Sequence, residues 1–87
     1  MLAVSIEDSG DDAVRNAAAE AFTGWENQLA DALQQRGVDL ADAEQLATLV
    51  VAAAEGTVAM CRARRDSQPL DRVTARLEAL IAAAVDE

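Results

Sequence analysis

The stretch from Leu46 to Met60 reads LATLVVAAAEGTVAM and has almost no polar face. Surface helices of soluble proteins keep one polar face, so a helix that is apolar nearly all round has to be covered on more than one side. An apolar patch larger than a few hundred Å² is seldom left in water. We therefore expect one side of this helix to pack within its own chain and another side to pack against a second copy.

Composition favours an all-α fold around this helix. The chain has 87 residues, which is enough for a single domain spanning residues 1–87. Ala, the best helix former, accounts for 21 residues, whereas the aromatic residues that strands prefer are limited to Phe22 and Trp25. We predict three helices, at about residues 12–36, 40–65 and 69–85.

Cap and turn residues mark the ends of these helices. The acidic pair Asp11–Asp12 is typical of a helix start, and Gly37 is typical of a helix end because glycine readily adopts the left-handed conformation. Asp39 is placed to cap the second helix, and Pro69 suits the first turn of the third. Gly24 inside the first helix predicts either a close backbone neighbour or a bend.

Helices two and three each carry more apolar surface than contacts within the chain require. Helix three repeats apolar residues at three-four spacing for about two heptads, which is typical of the seam of a helix bundle. We expect these two helices to pair with the same helices of another copy across a two-fold axis, forming a homodimer with an isologous four-helix interface. The candidate interface residues are Leu49, Ala53, Gly56, Met60, Leu77, Leu80, Ile81 and Ala84.

The chain lacks the residue types on which most catalytic sites depend. It has no His, Lys or Tyr, so the usual general bases, and the base that would activate a Ser or Cys nucleophile, are missing. The acidic run at residues 7–12 fails the spacing of a calcium loop. We expect no enzymatic activity, no metal site and no cofactor.

Charge and cysteine content limit the partners and the compartment. The net charge of −9 repels a phosphate backbone, so this chain alone is not expected to bind DNA. The single cysteine, Cys61, cannot form an internal disulfide and fits a reducing compartment, so we expect a cytoplasmic location. The Leu46–Met60 stretch is shorter than the roughly 20 residues that cross a bilayer and contains Glu55, so no membrane role is expected.

Four residues are candidates for binding a small ligand: Phe22, Trp25, Gln28 and Glu55. The two aromatic residues share a face of the first helix and are either core or the lining of an apolar site, with Gln28 as a nearby polar group. Glu55 interrupts the apolar stretch. It is solvated at an edge, pairs with an Arg across the interface, or faces a ligand cavity.

Three segments of the chain, in their order and spacing, resemble the C-terminal part of TetR-family transcriptional regulators, in particular the LmrA- and YxaF-like repressors. These segments are the A-F-x-x-W pattern that ends at Trp25, the LATLVVAAAEG run that ends at Gly56, and the S-x-P-L-D turn at residues 67–71. The resemblance spans roughly residues 13–85.

This resemblance implies a ligand-sensing and dimerisation domain whose last two helices form a four-helix bundle with a partner subunit. In such regulators an N-terminal helix-turn-helix domain binds operator DNA, and a small, often lipophilic effector weakens that binding. Because this sequence contains neither that domain nor the helices that complete the ligand pocket, we expect it to be part of a longer protein. The alternative is a stand-alone acidic helical module that binds a partner helix in its apolar groove.

Overall fold

The computed structural model describes the backbone of residues 2–86 and the side chains of residues 10–85. Its three helices are α1 (Leu2–Gln35), α2 (Leu40–Arg64) and α3 (Gln68–Asp86), and the described backbone contains no strand. The predicted all-α fold class is confirmed. The bounds of α2 and α3 lie within one residue of those predicted, whereas α1 begins much earlier.

The predicted start of the first helix at Asp11–Asp12 is wrong, because α1 continues toward the N-terminus as far as Leu2. Both aspartates lie on the exposed surface inside the helix, where Asp12 forms an ion pair with Arg15 one turn later. An exposed Asp inside a helix costs less than 1 kcal/mol, roughly, relative to Ala. A pattern that resembles a cap therefore does not by itself begin a helix.

Gly37 ends α1 as predicted, with a φ of 96°. Its N–H donates to the carbonyl of Gln34 at 3.0 Å, and the N–H of Val38 donates to the carbonyl of Leu33 at 3.1 Å. These two bonds define a Schellman motif. Leu33 and Val38 are both buried in the same apolar cluster, which is the contact that usually accompanies this motif. The turn sends α2 back along α1.

The caps of α2 come from one predicted and one unexpected residue. The N–H of Asp42 donates to the Asp39 carboxylate at 2.8 Å, which confirms the predicted N-cap. At the other end Arg65 adopts the left-handed conformation that glycine usually supplies, with a φ of 53°. The N–H of Asp66 then donates to the carbonyl of Cys61 at 3.2 Å. This non-glycine cap places α3 beside α2.

The core lies at one end of the molecule, where the end of α1, the beginning of α2 and the end of α3 meet. Its members are mainly small side chains, and the described part of the chain contains no large side chain that is fully buried. The apolar core therefore fixes the helices at one end, whereas Thr57 and Pro69 are buried toward the opposite end. The buried residues are Ala30, Leu33, Val38, Ala43 and Ala47, and Leu29, Leu46, Ile81, Ala84 and Val85 pack around them.

The three helices form a single layer, with α2 packed against both α1 and α3. The molecule measures 55 × 33 × 15 Å, and its smallest dimension is little more than the roughly 10–12 Å diameter of one helix. The radius of gyration is 16.6 Å, against about 12 Å for a compact domain of this length. The part of the chain that the structure describes supplies no second layer that would cover the flat faces.

Several large apolar side chains are exposed in this layer. On α1, for example, Val14 and Trp25 are 70% and 50% exposed, whereas Leu33, near the end of the helix, is buried. A single layer has no element to cover these positions. Leu40, Val58 and Leu70 are exposed for the same reason.

Helix α2 is long and apolar enough, by length and composition alone, to cross a membrane. The prediction that the Leu46–Met60 stretch is too short to cross a bilayer is therefore wrong for the whole helix. Helix α2 extends beyond that stretch at both ends, from Leu40 to Arg64. The same test is met by central helices of soluble proteins. Only 11% of the most apolar part of α2 is buried within the chain, so α2 lacks the cover that the central helix of a soluble protein usually has.

Candidate ligand groove and dimerisation face

An open groove of about 250 Å³ runs between α1 and α2. The helices are joined by a tight turn and run in opposite directions, so residues before the turn face residues after it. Phe22, Val51 and Ala52 form its apolar middle. The other lining residues are Glu26, Thr48 and Glu55. We call this site the α1–α2 groove.

The two carboxylates of the α1–α2 groove stand near its opposite ends. The hydroxyl of Thr48 donates a hydrogen bond to the Glu26 carboxylate, which fixes one end. Glu55 follows Thr48 by two helical turns, or about 10 Å along the axis of α2, and it is exposed. Among the side chains that the structure describes, Glu55 forms neither a hydrogen bond nor a salt bridge. The groove therefore has an apolar middle between two acidic ends.

Of the four predicted ligand residues, the structure brings Phe22 and Glu55 together in the groove, whereas Trp25 and Gln28 lie outside its lining. Trp25 packs edge-to-face against Phe22, with ring centroids 5.6 Å apart and planes at 74°. Residues four apart point the same way on a helix, so Phe22 shares its direction with Glu26. Gln28 follows Phe22 by six residues, so its side chain points about a third of a turn away from that of Phe22, and it is exposed.

Sequence reasoning missed Glu26 and Thr48 as groove residues. Both could have been found from helical spacing, since Glu26 follows Phe22 by four residues and Thr48 precedes Glu55 by seven. What the sequence could not supply is the pairing of these two faces, which depends on the geometry of the turn at Gly37.

A second groove of about 300 Å³ lies between α2 and α3 on the flat side of the layer. It brings together four of the predicted interface residues, of which Leu49 is 45% exposed and Leu80 38% exposed. Arg72 and Arg76 also line it, and Val73 completes its apolar surface. The four predicted residues in this groove are Leu49, Ala53, Leu77 and Leu80. We call the surface that they form the α2–α3 face.

The remaining predicted interface residues divide into two groups. Gly56 and Met60 are exposed and continue the α2–α3 face along α2, beyond the residues that line the groove. Ile81 and Ala84 are instead half-buried against the core of their own chain. Much of their apolar surface is therefore already used within the chain, because the last turns of α3 close the end of the molecule where the core lies.

The chain matches the family described as transcriptional regulator LmrA/YxaF-like, C-terminal domain, over residues 1–76. The matched residues include all of α1 and α2, the whole α1–α2 groove and the beginning of α3. No curated protein and no solved structure matches the chain. The family match covers most of the 87 residues and agrees with the all-α architecture. The chain therefore belongs to the LmrA/YxaF-like C-terminal domain family of TetR-type transcriptional regulators.

Proposed function

We propose that this chain is the ligand-sensing and dimerisation part of a transcriptional repressor, which binds operator DNA through an N-terminal domain and is released by a small lipophilic effector. The observation that carries the proposal is that α2 contributes to both surfaces. One side of α2 lines the α1–α2 groove, and the neighbouring side of α2 contributes to the α2–α3 face.

These two faces of α2 are separated by a single residue step. Thr48 and Ala52 line the α1–α2 groove, and the next residues, Leu49 and Ala53, line the α2–α3 groove. One residue corresponds to about 100° around a helix. A ligand that moves α2 relative to α1 therefore also moves the surface that a second copy would contact.

This shared helix supports a population shift as the mechanism of release. An effector favours one of two dimer arrangements only if it binds that arrangement more tightly. In the released arrangement, the two recognition helices of the intact dimer no longer match successive major grooves of the operator. The net charge of −9 supports a DNA contact made by the N-terminal domain rather than by this one.

The exposed surface of the chain supports the homodimer. The chain exposes 6527 Å², against about 4900 Å² for a compact monomer of this mass, an excess of about 1600 Å². A standard protein interface buries about 800 Å² on each partner. A second copy on the α2–α3 face can therefore cover much of the excess. Separately, we assign the assembled regulator to the cytoplasm.

Gene deletion tests the repressor. Deleting the gene that encodes this chain is expected to raise a small set of transcripts, measured by whole-transcriptome sequencing. Returning the wild-type gene should lower them again. A gene that carries Gly56→Leu should not restore repression if the α2–α3 face forms the dimer, whereas Gly24→Leu, a matched change on α1, should restore it.

Two outcomes would contradict this proposal. Transcripts that fall on deletion would identify an activator rather than a repressor. An unchanged transcriptome, together with a chain that is monomeric alone but forms a one-to-one complex with a different protein, would favour the stand-alone interaction module.

A further inference from the structure

We propose that the α1–α2 groove binds lipophilic cations, which are molecules with a compact apolar body and an ammonium or amidinium head. This inference rests on the proposed function, because it names the chemical class of the effector for the same groove. It goes beyond the family assignment, which does not specify the charge of the ligand.

The charge of the groove selects against anions. Two of its six lining residues, Glu26 and Glu55, are acidic, and none is basic. The whole chain adds to this field with its net charge of −9. An anionic ligand would be repelled along the full length of the groove, whereas a cation gains an attraction at either end.

The hydrogen bond at one end of the groove orients a carboxylate that can bind a cation. The Thr48 hydroxyl donates to one oxygen of Glu26, which orients the carboxylate and leaves its second oxygen free to accept from an ammonium group. At the other end, Glu55 has no partner among the described side chains. Both carboxylates can therefore accept hydrogen bonds from a ligand.

The middle of the groove selects an apolar body of limited size. Phe22, half-buried on α1, faces Val51 and Ala52 on α2 across a volume of about 250 Å³. The length of the groove, about 10 Å between the level of Thr48 and that of Glu55, suits one aromatic ring with a short alkyl chain. An ammonium group at the end of such a chain reaches a carboxylate while the ring covers Phe22.

Three probes with the same body test the charge preference. These are 4-phenylbutylammonium, 4-phenylbutanol and 5-phenylpentanoate, which share a phenyl ring with four methylene groups and differ only in the head group. Isothermal titration calorimetry on the 87-residue chain should show the ammonium binding about five-fold more tightly than the alcohol, the upper range for a solvent-accessible ion pair. The carboxylate should bind more weakly than the alcohol. Emission from Trp25, whose ring contacts Phe22, should change on binding.

Variants locate the site. Glu55→Gln and Glu26→Gln keep the size of the side chain and remove its charge, so each should reduce the ratio of ammonium to alcohol affinity by about two-fold or more. Glu20→Gln is the matched control, because it removes the same charge from an exposed position on α1 outside the groove lining. Circular dichroism should be unchanged in all three variants.

The binding experiments test the effector class, and the transcript experiment tests the regulator. Equal or tighter binding of the alcohol would overturn the cation preference. An unchanged preference in both groove variants would overturn the location. No heat from any probe at millimolar concentration would also overturn the inference. The transcript experiment judges the repressor independently, since deletion and complementation require no knowledge of the ligand.

Discussion

Gly24 and Gly37 show how differently one residue type can act in this chain. Gly37 has a φ of 96°, a conformation that side-chain-bearing residues rarely adopt, and it forms the Schellman turn between α1 and α2. Gly24 lies within α1, and a Cβ placed on it would have no atom of another element within 4 Å. Of the two explanations predicted for Gly24, a close backbone neighbour or a bend, the first is not found among the residues that the structure describes.

Alanine substitutions at these two glycines should have opposite effects. Gly37→Ala is expected to lower the free energy of unfolding by about 1 kcal/mol because of strain at positive φ. Gly24→Ala should raise it by up to about 1 kcal/mol because it improves helix propensity at an open site. Urea unfolding at one fixed chain concentration measures both. A stabilising Gly37→Ala would contradict the assigned turn.

Single residues were predictable from the sequence where their chemistry is local. Gly37 acts through backbone hydrogen bonds and Asp39 through a hydrogen bond from a backbone N–H to its carboxylate, all within five positions, so their roles follow from short patterns. Asp11–Asp12 shows the limit of such patterns. Whether a capping residue begins a helix depends on what the preceding residues do, and here α1 simply continues through the pair.

At the scale of elements, α2 is the helix on which both candidate surfaces depend. It is apolar on several faces, and the sequence alone could not decide which of them packs within the chain. The structure buries Ala43, Ala47 and Thr57, all on one side. The faces through Thr48 and Leu49 remain open to a ligand and to a second copy. Packing partners, rather than periodicity, determine this division.

The N-cap of α2 should contribute measurably to stability. Asp39→Ala removes the carboxylate that accepts from the N–H of Asp42, so the free energy of unfolding should fall by about 1 kcal/mol. Asp39→Asn keeps a side-chain acceptor and should lose much less. Thermal and urea unfolding of the two variants make the comparison. Equal losses would show that the carboxylate charge, rather than the capping bond, is what matters.

At the scale of the whole molecule, the dominant feature is a single layer of helices with too much apolar surface for one copy. The sequence predicted this excess and eight candidate interface residues, but it did not distinguish the candidates that pack within their own chain. Ile81 and Ala84 pack against the core, whereas Leu49 and Leu80 stay open. The difference follows from which side of α3 packs against the core, which a linear pattern does not encode.

A bulky residue at Gly56 should separate association from folding. Gly56 is exposed, and a Cβ placed on it would have no atom of another element within 4 Å, so Gly56→Leu should keep or raise helix content. It should nevertheless weaken association, because in the proposed dimer the small residue would let a second copy approach closely. Gly24→Leu is the matched control on α1. Loss of helix signal with association intact would place Gly56 on a different face.

Sedimentation equilibrium of the wild-type chain tests the central claim most directly, because it measures molar mass without assumptions about shape. Coverage of the α2–α3 face by a second copy predicts a mass twice the 9.1 kDa of one chain at micromolar concentration. Dilution should shift this mass toward that of the single chain. A mass of 9.1 kDa at every concentration up to the solubility limit would contradict the account.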